Sequence, residues 1–463
     1  MYARQYRFLA ALMLATALGF SVLPVVAYLR SGTTKDYGLW YLVGQVVIYD
    51  VPLYPSDGSC DYAFLYPPPA AILLTPLAML GRVPMMAILV LLNSAAWAVS
   101  VFLSVRLATG RALGQHPMYY FLPSALCLPF IYDSYLLGQP NLLLLAMMLG
   151  AFAGLRSGRW WVTGLLIGAA TALKAFPGLA LAYLVYRRAW RAVGWSLATL
   201  AFFLVVVPAP VRGFGRNLDE LALWARGMVF RYDEGAIGQR PAEGYGWKNQ
   251  SLVAVCHRLL RPINAELEAK PGEGEPIYVN VADLGFGAVS VAIILAAGAI
   301  GLGYIGVMPP RGRRTPASDA TEWAMLAALL VIASPYSYGY YCVWLLFPFA
   351  VAVHHALLAK APVQRAVTVA WMGLALLLLS LSLPWPWPRV PQALGNNFWA
   401  CLVVVAGLGW ELSRLRRAGP APQSPPVVRL SRIAIAPSIP VTNTRRASDG
   451  DGIRDTATVL HRR

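Results

Sequence analysis

The chain has 463 residues, of which 58% are hydrophobic and 13% charged, with a mean hydropathy of +0.56. This balance excludes an ordinary soluble domain, and the recurring apolar runs of roughly 17–22 residues match the ~20 that span a bilayer as a helix. The runs do not alternate, which excludes a β-barrel. The net charge of +17 sits in short loops and a basic tail and gives no reason to expect nucleic acid as a partner.

The expected fold is an all-α integral membrane bundle. Its first apolar run, 8–29, is bounded by Arg4, Arg7 and Arg30. It is longer than the ~7–15-residue core of a signal peptide and reads as a retained span. Further spans are expected at 84–106, 117–135, 139–155, 160–173, 175–187, 191–209, 283–306, 321–336, 339–358, 366–384 and 396–413, about twelve with the first. With the N-terminus in the cytosol, Arg106/Arg111, Arg156/Arg159, Arg187/Arg188/Arg191, Arg311/Arg313/Arg314, Lys360/Arg365 and Arg414/Arg416/Arg417 all fall on the inner side. The positive-inside rule requires this bias of the short loops. Both termini are then cytosolic, in a multi-pass protein of the plasma or inner membrane.

Two outer segments are too long to be turns. Residues 31–83 hold Asp36, an aromatic-rich stretch and a short apolar piece at 70–80, too short to span and suited to a helix at the interface. Residues 210–282 form the second. Cys60 and Cys256 lie in these two loops, where a bridge is one option and unpaired residues the plainer one. The spans and their loops make up a transmembrane domain over 1–417. The Pro/Ser/Arg-rich stretch 418–463 reads as a disordered cytosolic tail. The Asp449/Asp451 pair within it lacks the other ligands of a calcium loop.

The remaining polar motifs gather at the outer face. Lys174, in Ala172-Leu173-Lys174-Ala175-Phe176-Pro177, is a lone cation between apolar runs. Such a charge costs several kcal/mol unless it is partnered or reaches water. It either snorkels to the interface or meets a lipid phosphate. Asp36 follows the first span and is either a solvated loop acid or a general base at the lipid boundary. Tyr66 begins the Tyr66-Pro67-Pro68-Pro69 run, which fixes a rigid approach to a helix and offers a ring for sugar stacking. Gln139 and Asn141 flank Pro140 in an outer turn, as turn residues or as partners for hydroxyls. Asn249 and Gln250 form part of a formal glycosylation sequon with Ser251, or else a polar contribution to a site. Tyr338 belongs to a tyrosine cluster at 336–341. His354 and His355 fall near the inner face and read as structural. There is no phosphate-cradling Gly-rich loop and no metal-ligand cluster, so neither a cofactor nor a metal is expected.

The order of these motifs resembles the polyprenol-phosphate-mannose-dependent mannosyltransferases of the GT-C superfamily. The resemblance runs from Asp36 to about residue 350. It rests on Asp36-Tyr37, Pro52-Leu53-Tyr54, Phe64-Leu65-Tyr66-Pro67-Pro68, Leu73-Leu74-Thr75-Pro76-Leu77-Ala78, Gly138-Gln139-Pro140-Asn141-Leu142-Leu143, Leu173-Lys174-Ala175-Phe176-Pro177-Gly178, Asn249-Gln250-Ser251-Leu252 and Ser334-Pro335-x-Ser337. It implies a GT-C fold with juxtamembrane helices, a lipid-phosphate sugar donor, Asp36 as the base for the acceptor hydroxyl and Lys174 against the donor phosphate. Two departures stand out. Tyr338, Tyr340 and Tyr341 stand where the family pattern has Trp and paired His, and Ala175-Phe176 replace a common Pro-Thr. They bear on the sugar and the acceptor more than on the reaction.

The expected function is transfer of a sugar, mannose by resemblance, from a polyprenyl phosphate to a lipid or glycan acceptor. Transfer inverts the anomeric centre at the extracytoplasmic face, with membrane lipids as surroundings. Tyr66, Gln139, Asn141, Asn249, Gln250 and Tyr338 are the expected substrate contacts. The rival readings are a secondary transporter, against which stands the absence of a half-to-half repeat, and a non-catalytic lipid-binding scaffold.

Overall fold

The computed structural model describes residues 3–32, 35–54, 64–111, 115–234, 236–237, 244–266, 275–383 and 389–418. Residues 1–420 form one compact unit. Cys60, Asp449 and Asp451 lie outside the described residues, as does the tail.

The chain is an all-α polytopic membrane protein. In order, the helices are α1 (Ala3–Ser31), α2 (Asp36–Ile48), α3 (Pro68–Ala78), α4 (Arg82–Thr109), α5 (Met118–Leu126), α6 (Leu128–Leu137), α7 (Asn141–Arg156), α8 (Trp160–Leu173), α9 (Ala180–Tyr186), α10 (Trp190–Ala201), α11 (Ala209–Arg212), α12 (Phe214–Trp224) and α13 (Leu252–Leu260). They continue as α14 (Phe286–Val307), α15 (Pro316–Ala333), α16 (Leu346–Leu358), α17 (Pro362–Ser380), α18 (Arg389–Ala393) and α19 (Asn396–Ala418). A two-residue β-hairpin pairs Tyr232–Asp233 with Ala236–Ile237. Among the described residues, eight helical stretches are long and apolar enough to cross a membrane, and the bent pair α6–α7 makes a ninth. Fewer full-length crossings therefore stand where the sequence suggests about twelve spans. The apolar run 117–135 divides into α5 and α6 at Cys127, while α8 ends before Lys174 and a 3-10 turn over Phe176–Leu179 leads from there into the short α9.

The first outer segment holds more helix than its sequence indicates. The piece at 70–80 is the 11-residue α3, started by Pro68 at a position where a missing N–H is harmless. The aromatic stretch after Asp36 is itself the 13-residue helix α2. The two cross closely because position 44 has no side chain. A Cβ on Gly44 would lie 2.4 Å from that of Ala78.

Several helices run between two polar ends. At one end basic residues tie loops together. Arg156 Nη1 donates to Leu107 O (2.9 Å), Arg187 Nη1 to Pro309 O (3.1 Å), and Arg311 to Arg187 O. Buried Arg187 also pairs with buried Glu322, whose Oε2 accepts from Tyr183 OH at 3.0 Å. A buried pair so bonded has its desolvation offset by mutual attraction and by further donors. His355 Nε2 lies 2.9 Å from Thr321 Oγ1, and His354 Nδ1 3.2 Å from Tyr119 OH, both inside the packing of α16. Between the ends lies an apolar core that includes Phe152 stacked on Trp323 at 5.1 Å.

At the other end, α6 stops at Gly138 and the chain turns through 119° into α7. Gly138 has φ +75°, the left-handed conformation that ends helices, and a Cβ there would stand 2.9 Å from the Tyr37 ring. Trp40 Nε1 donates to Gly138 O (2.8 Å) and Tyr37 OH to Tyr135 O (2.7 Å), which fastens α2 over the break. Gly138→Ala combines a disfavoured φ with a clash against a buried ring. We expect it to destabilise the protein by about 2–4 kcal/mol, read as a lower thermal midpoint in a fixed detergent.

Candidate active site

Four separated segments meet at the Gly138 break. Asp36 is the first residue of α2, Gln139 lies in the turn, Asn141 opens α7, and Lys174 follows α8 in extended conformation (φ −155°, ψ 122°). Tyr66 precedes the proline run that starts α3.

The Gln139 side chain joins them. Its Nε2 donates to Asp36 Oδ2, and its Oε1 accepts from Tyr66 OH (3.1 Å) and from Lys174 Nζ (3.3 Å). Lys174 Nζ also donates to Asn141 Oδ1 at 3.3 Å. Asn141 is fully buried, its carbonyl accepts from Trp344 Nε1 (3.1 Å), and its Nδ2 has no partner among the described residues. Three rings surround the ammonium, Tyr341 at 4.3 Å, Tyr66 at 5.3 Å and Tyr340 at 5.6 Å. Such contacts hold a cation out of bulk water. Among the described residues, Lys174 thus meets neutral acceptors and ring faces with no carboxylate directly bonded to it.

Tyr66 is itself held firmly. Its carbonyl accepts from Tyr54 OH, its ring lies 4.6 Å from that of Trp40, and Trp224 Nε1 donates to Leu65 O at 3.1 Å.

Two cavities adjoin this cluster and share Leu65, Tyr66, Tyr338 and Tyr340 as lining residues. The first, of about 320 Å³, contains Lys174 and is otherwise largely apolar, with Phe176, Leu179, Met228 and Val229. The second, of about 600 Å³, contains Asp36, Gln139, Asp133, Trp247 and Lys248. The Asp36 carboxylate and the Lys174 ammonium therefore face different spaces, linked through one amide.

Of the residues read from sequence, Asp36, Tyr66, Gln139, Asn141 and Lys174 are brought together directly. Tyr338 lines both cavities, its ring 5.7 Å from that of Tyr340 and tilted 44° to it. Asn249 and Gln250 serve differently, for their polar atoms are engaged by the protein. Asn249 Nδ2 donates to Gly244 O (2.8 Å) and Pro335 O (2.9 Å), and its Oδ1 accepts from the N–H of Ser251 and of Ser337, each at 3.1 Å. Gln250 Nε2 donates to Trp247 O and Gln392 O, both at 2.8 Å, and its Oε1 accepts from Asn397 N at 3.3 Å. Both are buried and hold the tyrosine segment 334–341, and the sequon at Asn249 is not accessible in the folded chain. Asp133, Trp247 and Lys248 are cavity residues that sequence reasoning passed over. Asp133 carries the same signal as Lys174, a lone charge near the end of an apolar run. Among the described residues no group of three His, Cys, Asp or Glu side chains is arranged to hold a metal.

Residues 64–335, more than half of the chain, match the family model for glycosyltransferase family 87. The chain belongs to glycosyltransferase family 87. The matched stretch includes Tyr66, Gln139, Asn141, Lys174, Asn249 and Gln250, while Asp36 and Tyr338 flank it. A relative from Mycobacterium tuberculosis, a polyprenol-phosphate-mannose-dependent α-(1-2)-phosphatidylinositol pentamannoside mannosyltransferase, is 29% identical over 206 residues, 43% of this chain. The match covers 45% of that relative's length. The two-cavity cluster is the candidate active site of this family 87 chain.

Burial lowers the Lys174 amine from 10.5 to about 7, with the Asp36 carboxylate partly opposing the shift. The charged form is then fully present only below pH 7 in the unliganded protein. An anion held at Lys174 that itself stays singly charged through this range, a phosphodiester for one, should bind most tightly below about pH 7 and more weakly as the pH is raised above it. In Lys174→Arg, whose guanidinium stays charged, this dependence should vanish. Binding titrations from about pH 6 to 9 check it.

Proposed function

We propose that this family 87 enzyme moves a mannosyl group from a polyprenyl-phosphate donor to an acceptor hydroxyl, with inversion, at the extracytoplasmic face of the cell membrane. The observation that carries the reading is the Asp36–Gln139–Lys174 link, a carboxylate in one cavity joined through a single amide to a cation in another. The activity of the mycobacterial relative supports mannose and the polyprenol-phosphate donor.

The donor phosphate lies at Lys174, and the lipid chain follows the apolar lining toward Leu179, Met228 and Val229. The acceptor enters the larger cavity beside Asp36. Its hydroxyl oxygen attacks the anomeric carbon as the bond from that carbon to the phosphate oxygen breaks. Asp36 takes the hydroxyl proton, and polyprenyl phosphate leaves with the bonding electrons. Lys174 offsets the charge that grows on the departing phosphate, in a site walled by tyrosine rings where such an interaction is strong. Gln139 holds the Asp36 carboxylate and the Lys174 ammonium in fixed relation, so that base and leaving-group partner act across one reacting centre. Tyr66 and Tyr338, on the wall common to both cavities, contact the sugar in transit.

Asp36→Asn keeps size and most hydrogen bonding but removes the base. Turnover of labelled polyprenyl-phosphate-mannose should fall roughly 10²–10⁴-fold, with donor binding little changed. Lys174→Ala should weaken donor binding and slow transfer together. Near-normal turnover in Asp36→Asn removes the mechanism, and a transporter or scaffold would tolerate that change.

Topology gives a separate check. The basic ends of the helices are assigned to the cytosol by the charge bias of their loops. Single cysteines placed at 248 and 313 should react with an impermeant reagent from outside and from inside respectively. Labelling of position 313 from outside overturns the orientation.

A further inference from the structure

The larger cavity holds a second carboxylate that the mechanism above does not use. Pro129, Asp133 and Leu137, four residues apart, turn one face of α6 into it. Asp133 is half-buried, accepts no hydrogen bond and forms no ion pair among the described residues. Asp36 in the same cavity is bound by Gln139 and through it linked to Lys174, whereas Asp133 has no such link. It is therefore not a second candidate for the base. Nearby, Trp247 also lines the cavity, and its Nε1 is buried with no partner among the described residues. Lys248 Nζ lies 5.1 Å over the Trp247 ring.

An unpartnered carboxylate in a polar cavity of about 600 Å³, a second carboxylate in the same space and an aromatic ring on its wall define what fits there. The volume is in the range of small-molecule sites. The occupant must donate hydrogen bonds to a carboxylate and pack a ring face against an indole, as a sugar ring and its hydroxyls do. A phosphate can supply neither donor to Asp133 nor relief from its charge.

We propose that Asp133 is a positioning and specificity residue for the acceptor, binding hydroxyls of a neutral hexose ring beside Trp247 and disfavouring a ring that carries an anionic substituent. This rests on assigning the larger cavity to the acceptor. Asp133 orients the ring so that another of its hydroxyls reaches Asp36, and acts through that placement.

The test uses methyl α-mannoside and methyl α-glucoside, with mannose 6-phosphate as the charged comparison, on purified full-length protein in lipid nanodiscs. Binding is read by saturation-transfer NMR, and donor affinity and label transfer from polyprenyl-phosphate-mannose are measured on the same preparations. The wild type should bind at least one neutral hexoside and prefer it to the phosphorylated sugar. Asp133→Asn should weaken hexoside binding roughly tenfold or more, the range for losing a hydrogen bond to a charged group. It should also shrink the discrimination against mannose 6-phosphate and leave donor affinity and the thermal midpoint unchanged. Asp133→Glu should restore part of the hexoside affinity. In transfer assays the loss should appear in the acceptor KM more than in kcat.

Equal hexoside binding by wild type and Asp133→Asn, or no hexoside binding by the wild type, overturns the inference. Transfer that proceeds with no effect of Asp133→Asn overturns it while leaving the transferase reading intact. Hexoside binding that depends on Asp133 without any transfer upholds the sugar subsite and overturns the reaction.

Discussion

A primary amide has two chemically different ends, and the architecture of this site depends on both ends of Gln139 being fixed. Its nitrogen donates to Asp36 and its oxygen accepts from Tyr66 and Lys174. A carboxylate there would attract Lys174 but repel Asp36, and an aliphatic side chain would leave buried polar groups without partners. The amide is aimed by its backbone. The left-handed Gly138 ends α6, and the 119° turn carries the next residue out of the helical stack. The packing of Tyr37 and Trp40 then leaves the turn one conformation.

The same logic explains how a cation is kept inside an apolar bundle. A lone ammonium at this depth is unfavourable unless its environment supplies oxygens, rings or counter-charge. Lys174 receives the first two directly, and its counter-charge, the Asp36 carboxylate, acts only at a distance across the Gln139 amide. Arg187 at the far end of α9 has its counter-charge built in, through Glu322 and a backbone carbonyl. The Arg187 charge is neutralised by a bonded carboxylate, whereas Lys174 has only neutral oxygens and ring faces bonded to it among the described residues.

The separation of two cavities by a tyrosine wall suits a reaction between two amphiphiles. One substrate needs a place for a phosphate and an apolar path for a chain, and the other needs hydroxyl partners. The first cavity has a cation and aliphatic lining, and the second has two carboxylates, Lys248 and the Trp247 ring. Asn249 and Gln250 contribute by fixing the loop that carries Tyr336, Tyr338 and Ser337. They are remote in sequence from that loop, which is why a reading of residue types alone took them for ligand contacts.

The sequence by itself determined the membrane fold, because apolar runs and basic loops follow from the solvent the chain must occupy. It also determined that Asp36, Tyr66, Gln139, Asn141 and Lys174 belong to one end of the bundle, because each interrupts or borders an apolar run there. It did not determine how many runs cross in full. A run of 14 residues reads the same whether it stops at Lys174 or continues, and only packing against neighbours decides. Nor did it show that the stretch after Asp36 is a helix, since its apolar residues suit an interface equally well until Gly44 meets Ala78. Which polar side chains face a cavity was settled by tertiary structure alone. Asp133 and Asn249 are both polar residues near the ends of apolar segments. One keeps a carboxylate unpaired in a cavity, while the other has both ends of its amide bound to backbone, because hydrogen-bond satisfaction depends on neighbours that arrive from distant parts of the chain.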